Sequence, residues 1–225
     1  MAEITGFLFD LDGVITDTAR LHSQAWQQVA QQVGATWTPE LQASLKGVDR
    51  TESLARILQA AGKADAYSQA EKDALAATKN QHYLAQVAKL TPADILPGIS
   101  DFLTDVRNHG YQLALASSSK NAPTVLAHLG LADTFKAIVD PAKLQHGKPN
   151  GEIYRQAAAL LNLPPQACIG VEDAASGVAA INDAHATAVG IGDASELHDA
   201  ALVLPNTEAL TLANLQPLLA GVAIG

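Results

Sequence analysis

Beyond residue 98, short apolar runs alternate with segments of helical period, and that alternation leaves this chain few ways to fold. A helix over 99–109 precedes a strand over 111–116, a helix over 123–129, a short strand over 137–139 and a helix over 151–161. A strand over 167–171, a helix over 175–183 and a strand over 187–191 continue the pattern. Residues 202–204 add an edge strand before a terminal helix over 210–219. These strands are apolar throughout rather than alternately polar, so both of their faces are buried. A parallel sheet with helices on both sides meets that need.

One further strand stands apart at the start. Residues 4–8 form a short apolar run that ends in two acids, Asp10 and Asp12, and then Gly13. After Asp17 the period changes: Leu21, Ala25, Val29 and Val33 lie at helical spacing, and Gly34 closes the helix. Thr38 and Pro39 open a second helix as N-cap and first-turn residue. A third runs over 51–61, followed by Gly62, and 68–89 reads as a long, rather polar helix. From Thr91 to Gly98 two prolines and a glycine suit a linker or hinge. The expected fold class is α/β: a doubly wound parallel-sheet (Rossmann-like) core from residues 1–16 and 91–225, interrupted after its first strand by an all-helical cap over 17–90.

Composition narrows the function. A chain of 225 residues that is 48% hydrophobic can bury a large core. The net charge of −9, with no Lys/Arg cluster to offset it, repels a phosphate backbone, so nucleic acid is not an expected partner. No apolar run is long enough to cross a bilayer, and no signal peptide is visible. The lone cysteine, Cys168, cannot close an internal disulfide, which fits a reducing cytoplasm. It sits in an apolar run and reads as an inert buried thiol. An anionic small substrate stays open, because a few local cations outweigh the overall field inside a cleft.

In open parallel sheets, ligands bind beyond the carboxyl ends of the strands. Here four such ends are polar: Asp10 and Asp12, then Ser117, Ser118, Ser119, Lys120 and Asn121, then Lys148 before Pro149, then Glu172 and Asp173. Each has a bland reading: turn formers, a helix cap, an exposed lysine, and acids of a first helical turn. Their conjunction in chain order points instead to phosphoryl transfer. A carboxylate, Asp10, attacks phosphorus and splits one hard step into two. Asp12, two residues on, acts as general acid and base. Lys148 and the hydroxyls of Ser117 and Ser119 supply donors, and a hard cation such as Mg²⁺ offsets the crowded acids.

These four runs resemble the haloacid dehalogenase superfamily, and the helical insert after the first of them resembles that superfamily's subgroup I cap. Finer features are similar to the β-phosphoglucomutase family: the stretch from Asp10 through Thr18 to His22, Trp26, the run Leu45-Lys46-Gly47-Val48-Asp49-Arg50 with Ser53, the pair Lys79-Asn80, and residues 114–121. The resemblance implies Mg²⁺-dependent interconversion of β-glucose 1-phosphate and glucose 6-phosphate through β-glucose 1,6-bisphosphate. It implies a metal held by the carboxylates of Asp10 and Asp173, the main-chain carbonyl of Asp12, and Glu172 directly or through water. Arg50 then clamps the distal phosphate, assisted by Ser53 and Lys79, and His22 bonds Asp12 or a sugar hydroxyl. Thr18 sets when Asp12 is placed for proton transfer. An acid at Asp49 is expected to compete in part for the Arg50 guanidinium.

Two rivals follow from the same residues. One is a sugar-phosphate phosphatase, in which water rather than a sugar accepts the phosphoryl group. The other is a phospho-aspartate receiver module, which lacks a helical insert after the first strand and carries its acid on a later one. A mobile cap and an acidic surface suit a monomer acting on small sugar phosphates.

Overall fold

The computed structural model describes residues 3–46 and 48–220; Gly47, expected to help bind substrate, lies outside them. Strand β1 (Gly6–Phe9) is buried along its length. It lies at the centre of a parallel sheet, paired with β2 (Gln112–Leu115) on one side and β4 (Cys168–Glu172) on the other. With β3 (Ala137–Ile138), β5 (Thr187–Ile191) and β6 (Leu202–Leu204) the sheet order is β3-β2-β1-β4-β5-β6. The chain builds outward from β1 to β3, then returns to the other side of β1, so the order reverses beside the strand that carries the first two acids. That is where a doubly wound sheet opens a crevice.

The strand side chains alternate between two cores. Phe7 and Phe9 join a cluster with α5 (Ile99–Asn108), α6 (Ala122–His128) and α9 (Leu212–Leu219), where Phe102 meets the Phe7 ring edge-on at 5.5 Å. Leu8 points the other way, into a cluster with Ile153 and Ala157 of α7 (Glu152–Leu160) and Val178 and Ile181 of α8 (Ala175–Asp183). Each fully buried side chain of this size contributes roughly 1.5–3 kcal/mol.

Between β1 and β2 come α1 (Thr18–Val33), α2 (Pro39–Ser44), α3 (Arg50–Ala60) and α4 (Gln69–Val87). Trp26, Val29, Val33, Leu41, Leu54, Ile57, Leu58 and Leu75 give them a hydrophobic cluster of their own. Leu21, Ala25, Tyr83 and Val87 instead pack into the sheet's first cluster. The two crossings between this insert and the sheet lie side by side. Thr16 pairs with Ile95 as an antiparallel bridge, the Leu96 amide donates to the Ile15 carbonyl at 2.9 Å, and the Thr16 hydroxyl donates to the Asp94 carbonyl at 2.7 Å. The segment expected to serve as a linker or hinge is hydrogen-bonded to the first crossing, with Pro92–Asp94 forming a turn of 3₁₀ helix.

Candidate active site

The ladder positions the nucleophile candidate before the loop begins. The Asp10 amide donates to the Val171 carbonyl at 3.0 Å, so β1 hands Asp10 to the crevice with its backbone still in register. Leu11, Val14 and Ile15 are fully buried, and the Gly13 and Ile15 amides close the turn onto Thr16 and Leu11 at 2.9 Å. Gly13 has φ of 79°, and a Cβ there would collide with the Asp173 carboxylate. Both the turn and the close approach exclude a side chain.

Lys148, expected in the site against a bland reading as an exposed loop lysine, has a side chain only 1% exposed. Its ammonium donates to Asp10 Oδ1 at 2.9 Å and to Glu172 Oε1 at 2.5 Å. The Tyr154 hydroxyl donates to the same Glu172 oxygen at 2.8 Å, and Glu172 Oε2 accepts from the Asp173 and Ala174 amides at 3.1 and 3.3 Å. Glu172 ends β4 and is no helix cap; α8 is preceded by Ala174. Gly177, in the first turns of α8, leaves the space this carboxylate fills. Burial works against the charge of Lys148, but Asp10 and Glu172 outweigh it and raise its pKa.

The acids are less well compensated. Burial pushes the Asp10 carboxyl well up, against the pull of Lys148. Burial, with Glu172 alongside, brings Asp173 to about 6, although Lys46 of the insert reaches its carboxylate at 3.0 Å. Asp10, Glu172 and Asp173 offer oxygens that lie within 4.8 Å of one another. Hard oxygen donors, crowded and short of positive charge, fit a hard divalent cation. Both oxygens of Glu172 already accept protein donors, which leaves Asp10 and Asp173 as the better direct ligands.

Asp12 stands at the mouth of α1, which begins with Asp17 as its N-cap. The Thr18 hydroxyl donates to Asp12 Oδ1. Burial raises the Asp12 pKa and Thr18 holds it down; with a quarter of its side chain exposed, the carboxyl keeps access to the cleft. His22 is not the exposed helical histidine of the bland reading. It stacks on Tyr83 at 4.0 Å, and its Nδ1 lies 2.5 Å from the Lys79 ammonium. With Lys79 as donor the ring is neutral and carries its proton on Nε2, which lies 3.7 Å from Asp12 Oδ2. That is an approach rather than a hydrogen bond. Burial, then Lys79 and Arg50, lower the His22 pKa. Lys79 is itself buried between the Trp26 and Tyr83 rings, at 5.0 and 4.8 Å, and burial brings it down to about 7.

Across the cleft, Asp49 does not compete for Arg50. Its Oδ1 accepts from the Thr51 and Glu52 amides at 2.8 and 3.0 Å, as the N-cap of α3. A helix N-terminus offers an acid several amides at once, and one guanidinium on the next residue cannot reach back to match them. Arg50 turns instead to Asn80 Oδ1 at 2.7 Å. Ser53 lines the cleft, but its hydroxyl donates within α3, to the Asp49 carbonyl at 2.7 Å. Ser118, Ser119, Lys120, Trp26 and Val48 also line it, in a volume of about 1000 Å³. Ser117 and Asn121 stand behind: the Ser117 hydroxyl accepts from the Ser119 amide at 3.1 Å, and Asn121 donates to Asn80 at 2.8 Å.

Lys46, Asn80, Tyr83 and Tyr154 were not assigned to the site from sequence. Asn80 and Tyr83 follow Lys79 by one residue and one helical turn, and residues one turn apart share a helix face. Lys46 lies in the run from Leu45 to Arg50 that carries the family resemblance, but no role was drawn for it. Cys168 is buried, and burial pushes its thiol up to about 12, as suits an inert group.

Residues 4–185 match the model of the haloacid dehalogenase-like hydrolases. A β-phosphoglucomutase of Bacillus subtilis is 44% identical over 205 residues, covering 91% of each chain. A phosphorylated carbohydrates phosphatase of Thermotoga maritima is 30% identical over 179 residues, covering 79% of this chain and 80% of that one. The crystal structure of a β-phosphoglucomutase from Clostridium difficile superposes with a TM-score of 0.95 at 42% identity, covering 99% of this chain and 100% of that one.

Proposed function

This chain belongs to the haloacid dehalogenase-like hydrolase family, and from that premise we propose that it is a β-phosphoglucomutase, interconverting β-D-glucose 1-phosphate and D-glucose 6-phosphate. The observation that carries the reading is a cleft with two unlike ends. Acids and Lys148 converge at the sheet, while Arg50 and Lys79 face them from the insert. A substrate phosphorylated at both ends needs such a pair of sites.

Asp10 carries the phosphoryl group. The O6 hydroxyl of β-glucose 1-phosphate attacks the aspartyl phosphate and gives its proton to Asp12; the P–O bond to Asp10 breaks, and β-glucose 1,6-bisphosphate forms. The bisphosphate then presents its C1 phosphate to Asp10. As the carboxylate attacks, Asp12 returns the proton to the departing O1, and glucose 6-phosphate leaves. Lys148 holds Asp10 aimed and stays charged throughout. Ser119 and nearby amides donate to the phosphoryl oxygens, and Thr18 and His22 orient Asp12. Asp10 and Asp173, with Glu172 behind them and the Asp12 carbonyl alongside, would hold Mg²⁺, which when bound neutralises charge on the transferring group. Arg50, with Lys79, Ser53, Trp26, Val48, Ser118, Lys120 and Asn121 around it, receives the distal phosphate. The insert over 17–90 acts as a cap whose closure keeps water from the aspartyl phosphate. No helix among the described residues is long and apolar enough to cross a membrane. A cytoplasmic monomer acting on small sugar phosphates fits the acidic chain with one buried thiol.

The test is an anomer-resolved assay with Mg²⁺ and a trace of bisphosphate. Glucose 6-phosphate should appear from the β-anomer and not from the α-anomer. Inorganic phosphate in its place would make the protein a phosphatase and overturn the reading.

A further inference from the structure

Arg50 lines the cleft where α3 opens in the insert, and Asn121, preceding α6 on the sheet, stands just behind the lining. Both donate to one atom, Asn80 Oδ1, at 2.7 and 2.8 Å. Arginine has no acceptor, so the Asn80 atom facing it is the oxygen, and the Asn121 atom facing that oxygen is its amide nitrogen. A carbonyl oxygen has two lone pairs, enough for both donors. Among the described residues no carboxylate forms an ion pair with Arg50, although it is partly buried and burial lowers its pKa. A half-buried guanidinium is thus satisfied by a neutral oxygen.

We infer that Asn80 is a positioning residue, a neutral stand-in for one oxygen of the distal phosphate. Its amide oxygen holds Arg50 and Asn121 on a single point beside the cleft, where insert meets sheet, and yields that point when a phosphate arrives. This rests on reading Arg50 and Asn121 as parts of the distal clamp. The chemistry of the residue suits the task. Hydrogen bonds from a cation to a charged oxygen are stronger than those to a neutral one, so a phosphate displaces an amide readily. A carboxylate at the same place would match the phosphate in charge and resist displacement. An alanine would leave both donors without a common target and let Arg50 wander.

The experiment compares Asn80→Asp and Asn80→Ala with the unaltered protein, using β-glucose 1,6-bisphosphate and p-nitrophenyl phosphate, which has no distal phosphate. Asn80→Asp keeps the volume and the bond to Arg50, so it folds. It should raise KM for the bisphosphate about tenfold, the scale of one charge-assisted hydrogen bond, with a much smaller change in kcat. Asn80→Ala should raise it less, about threefold, the scale of a neutral bond. Neither should affect p-nitrophenyl phosphate to a comparable extent. An unchanged KM for the bisphosphate in Asn80→Asp, or equal losses on both substrates, overturns the inference. Arg50→Ala run in parallel separates the two levels: if it too leaves the bisphosphate KM unmoved, the clamp reading fails and takes the inference with it. If it raises KM while Asn80→Asp does not, the stand-in alone fails.

Discussion

The two ends of the cleft are built on opposite electrostatic plans. At the sheet, Asp10, Asp12, Glu172 and Asp173 crowd around Lys148, with Lys46 reaching in from the insert. Negative charge is in excess there, and burial raises the pKa of Asp10, Asp12 and Asp173. At the insert, Arg50 and Lys79 have no carboxylate partner among the described residues, and burial lowers both. One end is short of a cation and the other of an anion. Each carries an uncompensated charge in the free protein that a bound group relieves, and the sign of that charge says which group belongs where.

The sharpest way to break the contrast is at the sheet. Asp10→Asn should abolish turnover on every phosphate ester, by roughly 10⁴-fold or more, and mass spectrometry should find no aspartyl phosphate. Asp12→Ala should slow transfer to and from glucose by about 10²–10⁴-fold. An activated donor such as acetyl phosphate, whose leaving group needs no proton, should still label Asp10 in that variant; equal loss of labelling would remove Asp12 from its role.

At the insert the expected effects are smaller and of opposite kinds. Lys79→Met should raise KM for the bisphosphate about tenfold, by removing one cation. It should also stabilise the fold. A lysine ordinarily titrating at 10.5 but held at about 7 binds its proton more weakly folded than unfolded. The destabilisation is therefore full below pH 7 and fades as pH rises toward 10.5. Melting curves at pH 6.5 should show Lys79→Met melting a few degrees higher, at about 2–4 °C per kcal/mol for a chain of this size, and the gain should shrink by pH 9. An unaltered melting temperature at pH 6.5 would mean that Lys79 bears no such penalty. In the wild type, KM for the bisphosphate should rise above pH 7 as Lys79 loses its charge.

Tyr154→Phe probes the scaffold behind the acids and should have the least effect. Losing one hydroxyl to Glu172 should cost about 1 kcal/mol of stability, because Lys148 still holds that oxygen. Mn²⁺ affinity by calorimetric titration should weaken by a few fold; a larger loss would make Tyr154 a principal organiser of the site.

What could be read from the sequence was what local pattern encodes. Apolar runs placed every strand of the sheet, and β5 and β6 match the expected bounds residue for residue. The acids at the ends of β1 and β4 were legible because four polar strand ends recur in chain order, although each alone has a structural reading. The partners were not legible. Tyr154 meets Glu172 from a helix that precedes β4, Asn80 meets Asn121 across 41 positions, and Lys46 meets Asp173 across 127. Such pairs are set by how layers stack, and no periodicity records that. Asp49 failed for the opposite reason: adjacency to Arg50 suggested an ion pair, whereas the nearer demand was the first turn of α3.

The antiparallel pairing of Thr16 with Ile95, and of Ile15 with Leu96, also bears on how such a chain can diversify. Because the insert departs and returns through neighbouring residues, the sheet beneath it is closed whatever length of polypeptide lies between. A different bundle could be grafted at residues 16 and 95, provided that it covers the face of the sheet's core that Leu21, Ala25, Tyr83 and Val87 now cover. The residues facing the sheet can then be exchanged as a cassette, while the trio of Asp10, Lys148 and Glu172 is inherited as it stands.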